Sequence, residues 1–164
     1  MGNSIDPELI VFAWGNESRG DDGIGPWLAR RLIALDRPGL VVIEDHQLNI
    51  EHVMDFAGST PLLFIDASVS IEAGIRLERI EASSDGNFST HAISPQALLN
   101  VYRETSGTEP PRSYLLHVAG DSFGLGESLG DKGRAAAESA WAFLKELLDA
   151  PPAKWRQRLS AAVA

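Results

Sequence analysis

The sequence predicts an α/β domain with a mainly parallel sheet that is covered by helices on both faces. Short, continuous apolar runs alternate along the chain with segments whose apolar residues recur at helical spacing. Uniformly apolar strands are typical of sheets that are buried on both faces, and these are mostly parallel. Regular alternation of such strands with helices indicates βα units.

The first half of the chain contains the clearest elements. Residues 9–14 form an apolar run that ends at the turn signal Gly15-Asn16. A helix with one apolar face begins at Ile24 and ends before Pro38-Gly39. The same half contains expected strands at 40–43, 61–67 and 75–80, the last with one wet face, and a short helix over 50–57.

The second half contains two further helices and a last strand. Ser94-Pro95 begins a helix with a capping residue and a proline at the first helical position. A strand over 114–119, a glycine-rich loop over 120–130 and a helix over 132–148 follow. We expect one domain over 1–150 and a solvated, partly disordered tail over 151–164.

The composition excludes several classes of protein. A chain of 164 residues can bury a core of one domain without disulfides, and it contains no cysteine for a thiol nucleophile or a cysteine-ligated metal. The formal net charge of −9 argues against binding to nucleic acid. No apolar run reaches the roughly 18 residues of a membrane span. Residues 1–18 contain no lysine or arginine for a signal peptide, so we expect a cytoplasmic protein without a membrane partner.

Polar segments follow the buried strands and should meet at one edge of the sheet, where α/β proteins bind ligands. Asp22 follows the first strand, Asp66 ends the third, and His91 precedes the helix that Ser94 caps. Two carboxylates and one imidazole suit a borderline divalent cation such as Ni²⁺, Zn²⁺ or Fe²⁺. Three protein ligands leave coordination positions open for water or substrate.

Simpler interpretations of these residues remain open at this stage. Asp21 or Asp22 could cap the first helix, Asp66 could be a turn residue, and His91 could be an ordinary loop side chain. The first turn is a poor phosphate site, because Glu17 and the two aspartates would repel an anion. The sequence contains no His-Glu-x-x-His or Walker motif.

The segment after the first strand reads Gly15-Asn16-x-x-Arg19-Gly20-Asp21-Asp22-Gly23-x-Gly25-Pro26. This segment resembles that of the hydrogenase maturation proteases, which trim the C-terminus of [NiFe]-hydrogenase large subunits. Asp66, Ser89-Thr90-His91 and a glycine-rich segment follow in the order of that family, so the resemblance spans residues 9–148. It implies a flavodoxin-like three-layer sandwich, and it implies that Asp22, Asp66 and His91 bind the nickel of the substrate.

The segment after the second strand departs from many relatives. Where they carry Asp-Gly-Gly-Thr, this chain reads Asp45-His46-Gln47-Leu48, which is similar to the branch that serves bidirectional, NAD-reducing hydrogenases. The resemblance implies that His46, Gln47 and Leu48 help to recognise the substrate. The alternative is that His46 and Gln47 merely satisfy backbone groups of the loop.

The resemblance leads to one expected function and two alternatives. We expect a monomeric endopeptidase whose partner is a nickel-loaded large-subunit precursor, with nickel belonging to the substrate. Because no side chain is an obvious nucleophile, we expect an activated water, with Asp21 as its base. The alternatives are a nickel-sensing chaperone that binds the precursor without cutting it, and an unrelated flavodoxin-like binding module.

Overall fold

Five β-strands and four α-helices form the part of the chain that the computed structural model describes, residues 5–84 and 92–163. The strands are β1 (Leu9–Trp14), β2 (Leu40–Asp45), β3 (Leu62–Ser68), β4 (Ile75–Ile80) and β5 (Ser113–Ala119). The helices are α1 (Ile24–Leu35), α2 (Pro95–Ser106), α3 (Asp131–Asp149) and α4 (Trp155–Ala162). Short 3₁₀ helices span Gly20–Gly23, Ile50–Asp55 and Pro152–Lys154.

The strands form one sheet in the order β2-β1-β3-β5-β4. All neighbouring strands are parallel except β4, which runs antiparallel to β5 at the edge. The carboxyl ends of β1, β2, β3 and β5 therefore lie at the same edge of the sheet. This architecture confirms the predicted α/β class with a mainly parallel sheet.

Helices cover both faces of the sheet, as the apolar strands predicted. Successive side chains of a strand point to opposite faces, so Val11 and Ile65 face a core formed with α1, α3 and α4. Phe12 and Phe64 face the second core, which α2 and the 3₁₀ helix Ile50–Asp55 cover. Their rings stack with centroids 5.0 Å apart across the register pair of β1 and β3.

The prediction of a solvated, partly disordered tail over residues 151–164 is wrong. Residues 155–162 form α4, and Trp155 and Leu159 are fully buried in the core on the face of α1 and α3. The indole Nε1–H of Trp155 donates to the carbonyl oxygen of Ala150 at 2.9 Å. The basic residues of this segment suggested solvation, but they alternate with an apolar pair at i and i+4 that faces the core.

The short helix after β2 also differs from its expected form. It is a 3₁₀ helix over Ile50–Asp55, and its Met54 side chain is 84% exposed. The strand before it continues to Asp45, so Glu44 and Asp45 belong to β2 rather than to the loop. None of the helices in the described ranges has the length and apolar character to span a membrane.

Candidate functional site

The candidate site lies at the edge of the sheet where the parallel strands end. The segments after β1 and β5 and the last residues of β3 meet there, because these three strands are neighbours in the sheet. Ligand sites of open α/β sheets lie at this edge.

Asp22 is held by the tight turn that follows β1. Its Oδ2 atom accepts a hydrogen bond from the backbone N–H of Asn16 at 2.6 Å, and Oδ1 of Asn16 accepts from the N–H of Ser18 at 2.9 Å. The turn requires glycine at position 15, where φ is +149° and a Cβ atom would overlap the carbonyl oxygen of Asp22. These contacts fix a half-buried carboxylate at the edge of the sheet.

Asp66 lies near the end of β3 and is half-buried. Burial raises the pKa of Asp66 from 3.8 to about 6; His117 lowers this pKa, and the nearby carboxylate of Asp22 raises it further. The structure thus places two of the three residues that the sequence predicted as metal ligands at the same edge of the sheet.

The third predicted ligand, His91, lies outside the described residues. Within the described ranges, no group of three or more His, Asp or Glu side chains is placed to hold a metal ion. The geometry of the site therefore rests on Asp22 and Asp66.

Asp21 has contacts that favour a structural role over the predicted role of base. It is fully buried, and its Oδ2 atom accepts hydrogen bonds from the backbone N–H groups of Asp121 and Ser122 at 2.9 and 3.0 Å. Its Oδ1 atom accepts from the N–H of Gly130 at 2.9 Å. Both oxygens are thus occupied by the loop between β5 and α3. A general base needs a lone pair within reach of its substrate.

The segment after β2 presents two of its three predicted recognition residues. His46 and Gln47 are exposed at the edge of the sheet. Leu48 is only 3% exposed and packs in the core under α2, while its carbonyl oxygen accepts from the N–H of Ile93 at 3.2 Å. The prediction that Leu48 contacts a docked precursor is therefore wrong.

A buried histidine that the sequence analysis did not single out supports this segment. The Nε2 atom of His52 lies 3.2 Å from Oδ2 of Asp45, and its Nδ1 atom accepts from the N–H of Asn49 at 2.9 Å. The side chain of Asn49 accepts in turn from the N–H of Glu51. The spacing of Asn49 and His52 is that of a capping box, which was the available signal in the sequence.

Comparison with known proteins reveals structural neighbours but no sequence relatives. No family model matches the chain, and no curated protein is significantly similar to it. The crystal structure of a [NiFe] hydrogenase maturation protease HycI from Thermococcus kodakarensis KOD1 matches with a TM-score of 0.70 and 22% identity, over 90% of this chain and 96% of that one. The endopeptidase HycI from Escherichia coli matches with a TM-score of 0.65 and 21% identity, over 88% and 92%. The hydrogenase maturating endopeptidase HybD from E. coli gives 0.64 and 21%, over 87% and 92%.

The chain has the fold of the hydrogenase maturation proteases. The match extends over nearly the full length of each chain. At these identities the likeness establishes the fold.

Within this maturation-protease fold, His117 is a further residue that the sequence analysis missed. It lies in β5, directly opposite Asp66 in the register of β3 and β5. Its Nε2 atom is 2.7 Å from Oε2 of Glu78 on β4. A histidine inside an otherwise apolar strand was the signal, but its partner Asp66 follows only from the register of two strands about 50 residues apart.

The candidate site contains two acidic side chains, those of Asp22 and Asp66. Burial is the main reason that the pKa of Asp66 is raised, and the carboxylate of Asp22 raises it further. A bound cation would favour the ionised form of Asp66. Carboxylate oxygens leave the cation free to keep other ligands, including those of a partner protein.

Proposed function

We propose that the protein is an endopeptidase that removes the C-terminal extension of a [NiFe]-hydrogenase large-subunit precursor after nickel has been inserted. The observation that carries the proposal is the convergence of Asp22 and Asp66 at the edge of a maturation-protease fold. The structural neighbours are hydrogenase maturation proteases, which supports this substrate class, and the two carboxylates would supply a means of sensing its metal. The reaction would take place in the cytoplasm.

Asp22 and Asp66, together with His91, would contact the nickel of the precursor. The half-buried position of both carboxylates lets them meet a metal that another protein carries. Because burial raises the pKa of Asp66 to about 6, ionisation of this carboxyl group in the free protein costs free energy, and a bound cation would offset that cost. In this scheme nickel is part of the substrate. Its contact with the carboxylates would let the protease distinguish nickel-loaded precursor from nickel-free precursor.

Cleavage would use water as the nucleophile. Water adds to the scissile carbonyl carbon, the C–N bond breaks, and the leaving nitrogen takes up a proton. The nickel of the substrate can polarise the carbonyl as a Lewis acid. Both carboxylate oxygens of Asp21 bind the loop after β5, so this residue is not proposed as the base.

His46 and Gln47 would select the precursor. Both are exposed beside the site, on a segment whose backbone is held by Asp45 and His52. An imidazole and an amide can form directed hydrogen bonds to a docked chain. The resemblance of this segment suggests a precursor of a bidirectional, NAD-reducing hydrogenase.

The test is incubation of the purified protein with nickel-loaded precursor of that type, read by intact mass. Loss of a defined C-terminal peptide, and none from nickel-free precursor, is the expected result. Asp22→Ala should abolish cleavage, whereas Glu44→Ala, which removes an exposed carboxylate from the end of β2, should not. Binding without any change of mass would instead indicate a nickel-sensing chaperone. A chain that neither binds nor cuts the precursor would be a binding module of another kind.

A further inference from the structure

His117 is a buried imidazole for which the proposed reaction has no role so far. Only 9% of its surface is exposed, and it lies in a strand of mostly apolar side chains. Its Nε2 atom is bonded to Glu78, but its Nδ1 atom is buried without a hydrogen-bond partner in residues 5–84 and 92–163. Burying an unpaired polar atom costs free energy, so a half-paired imidazole in the sheet suggests a role other than stability.

The strand register places this imidazole beside the site. His117 and Asp66 are partners in the parallel strands β3 and β5. Partners in register point to the same face of a sheet, and neighbouring strands lie about 4.8 Å apart. The charge of His117 also lowers the pKa of Asp66, so the ring acts on this carboxylate.

Glu78 fixes the ring from the other side. It lies on β4, antiparallel to β5, and its Oε2 atom also accepts from the guanidinium of Arg76 at 3.2 Å. The imidazole can donate its Nε2–H to Glu78, and when both ring nitrogens carry a proton its Nδ1–H is a second donor that a carboxylate can accept. A carboxylate that orients a histidine in this way is a common support behind the groups that contact a metal.

We propose that His117, held by Glu78, is a positioning residue that fixes the carboxylate of Asp66 for contact with the metal of the substrate. The proposal rests on the proposed function, because it assigns the metal contact to Asp66. The support runs across three strands, from Glu78 on the edge strand through β5 to Asp66 on β3. Each of the three side chains lies on the face that α2 covers.

A spectroscopic test needs no substrate. Long-range ¹H–¹⁵N correlation spectra at one pH resolve the ring nitrogens of the histidines, and His117→Gln assigns those of His117. Asp66→Asn should shift the Nδ1 resonance of His117, and Glu78→Gln should shift its Nε2 resonance. Arg79→Ala removes a charge from β4 on the opposite face and should shift neither. An unchanged Nδ1 resonance in Asp66→Asn would overturn the proposal.

A kinetic test measures the consequence for cleavage. His117→Leu keeps the approximate volume of the ring but no polar atom, and single-turnover cleavage of nickel-loaded precursor at saturating protease should fall about 10- to 100-fold. The half-saturating concentration should stay unchanged, because His117 is buried and does not contact the precursor. His117→Gln and Glu78→Gln should retain higher rates than His117→Leu, with circular dichroism as the folding control.

The outcomes separate this proposal from the proposed function. Cleavage by His117→Leu at the wild-type rate, or equal rates for the Leu and Gln variants, would overturn the positioning role while the function stands. If the wild-type protein fails to cleave the precursor, the proposed function fails. The spectra of the Asp66→Asn protein then decide whether His117 and Asp66 are coupled.

Discussion

Asp21 fills the space beside Gly133, so that a Cβ atom at position 133 would overlap its carboxylate. Gly133 lies in the first turn of α3, and the same carboxylate binds the backbone of the loop that precedes this helix. The turn after β1, the loop after β5 and the start of α3 thus meet at the buried carboxylate of Asp21. This contact explains why glycine is required in a helix, where it is otherwise unfavourable.

Gly133→Ala should destabilise the protein. In an ordinary helix this change stabilises by about 1 kcal/mol, but here the new methyl group must displace Asp21, and a loss of about 2–4 kcal/mol is expected. Urea unfolding measures the difference. Ser139→Ala, at an exposed position of α3, is the control and should be neutral or slightly stabilising. A stabilised Gly133→Ala protein would show that Asp21 can move away at little cost.

Asp21→Asn separates the structural role of this residue from that of a base. The amide keeps one acceptor oxygen for the three N–H donors, so we expect a loss of stability of about 2–4 kcal/mol. Cleavage by the folded fraction should stay within about tenfold of wild type, whereas removal of a general base costs about 10²- to 10⁴-fold. Single-turnover rates, corrected for the folded fraction at low temperature, provide the comparison. A larger loss would restore Asp21 as the base.

Asp66→Asn should stabilise the free protein at neutral pH. Because the pKa of Asp66 is raised from 3.8 to about 6, ionisation favours the unfolded state, and stability is lost as the pH rises through this range. The neutral amide avoids this loss, so its advantage should grow between about pH 4 and pH 6 and stay constant above about pH 7. We expect a gain of about 1–3 kcal/mol. Urea unfolding at several pH values tests this, and a pH-independent difference would contradict it.

Trp155→Ala should destabilise the protein strongly, because the indole is fully buried between α4 and the core. A loss of about 3–5 kcal/mol is expected for a buried tryptophan. Lys154→Ala, at the exposed position before it, is the control. Thermal unfolding of both variants distinguishes a helix that belongs to the core from an appended tail, which would tolerate either change.

Replacing His46 and Gln47 by glycine should weaken recognition of the cognate precursor without affecting the fold. A lost buried hydrogen bond costs about 1–3 kcal/mol, which corresponds to roughly a 5- to 150-fold lower rate of cleavage. Leu48 is left in place, because it belongs to the core. Single-turnover cleavage of an NAD-reducing-type precursor gives the result. An unchanged rate in a folded variant would leave the segment a purely structural role.

The sequence predicted the sheet, its coverage by helices and the position of Asp22 and Asp66 at one edge of the sheet, because these depend on periodicity and on the common edge of parallel strands. It did not predict that the side chains of Leu48 and Trp155 are buried. Each side chain is buried by elements distant in sequence, and local polarity pointed the other way. Asp21 and Asp22 are neighbours of the same type, and their different roles depend on which of them faces the loop after β5. The pairing of His117 with Asp66 required the register of two strands.

The buried carboxylate of Asp21 joins the turn after β1 to the loop after β5. Because of this contact, the amino-acid sequence on that side of the site is less free to change than the sequence at positions 46 and 47. A change near Asp21 disturbs three backbone segments at once, so selection for folding acts strongly there. At positions 46 and 47 the side chains are exposed and the backbone is supported by Asp45 and His52. A lineage can therefore acquire a preference for a different precursor through these two positions while the rest of the site is inherited unaltered.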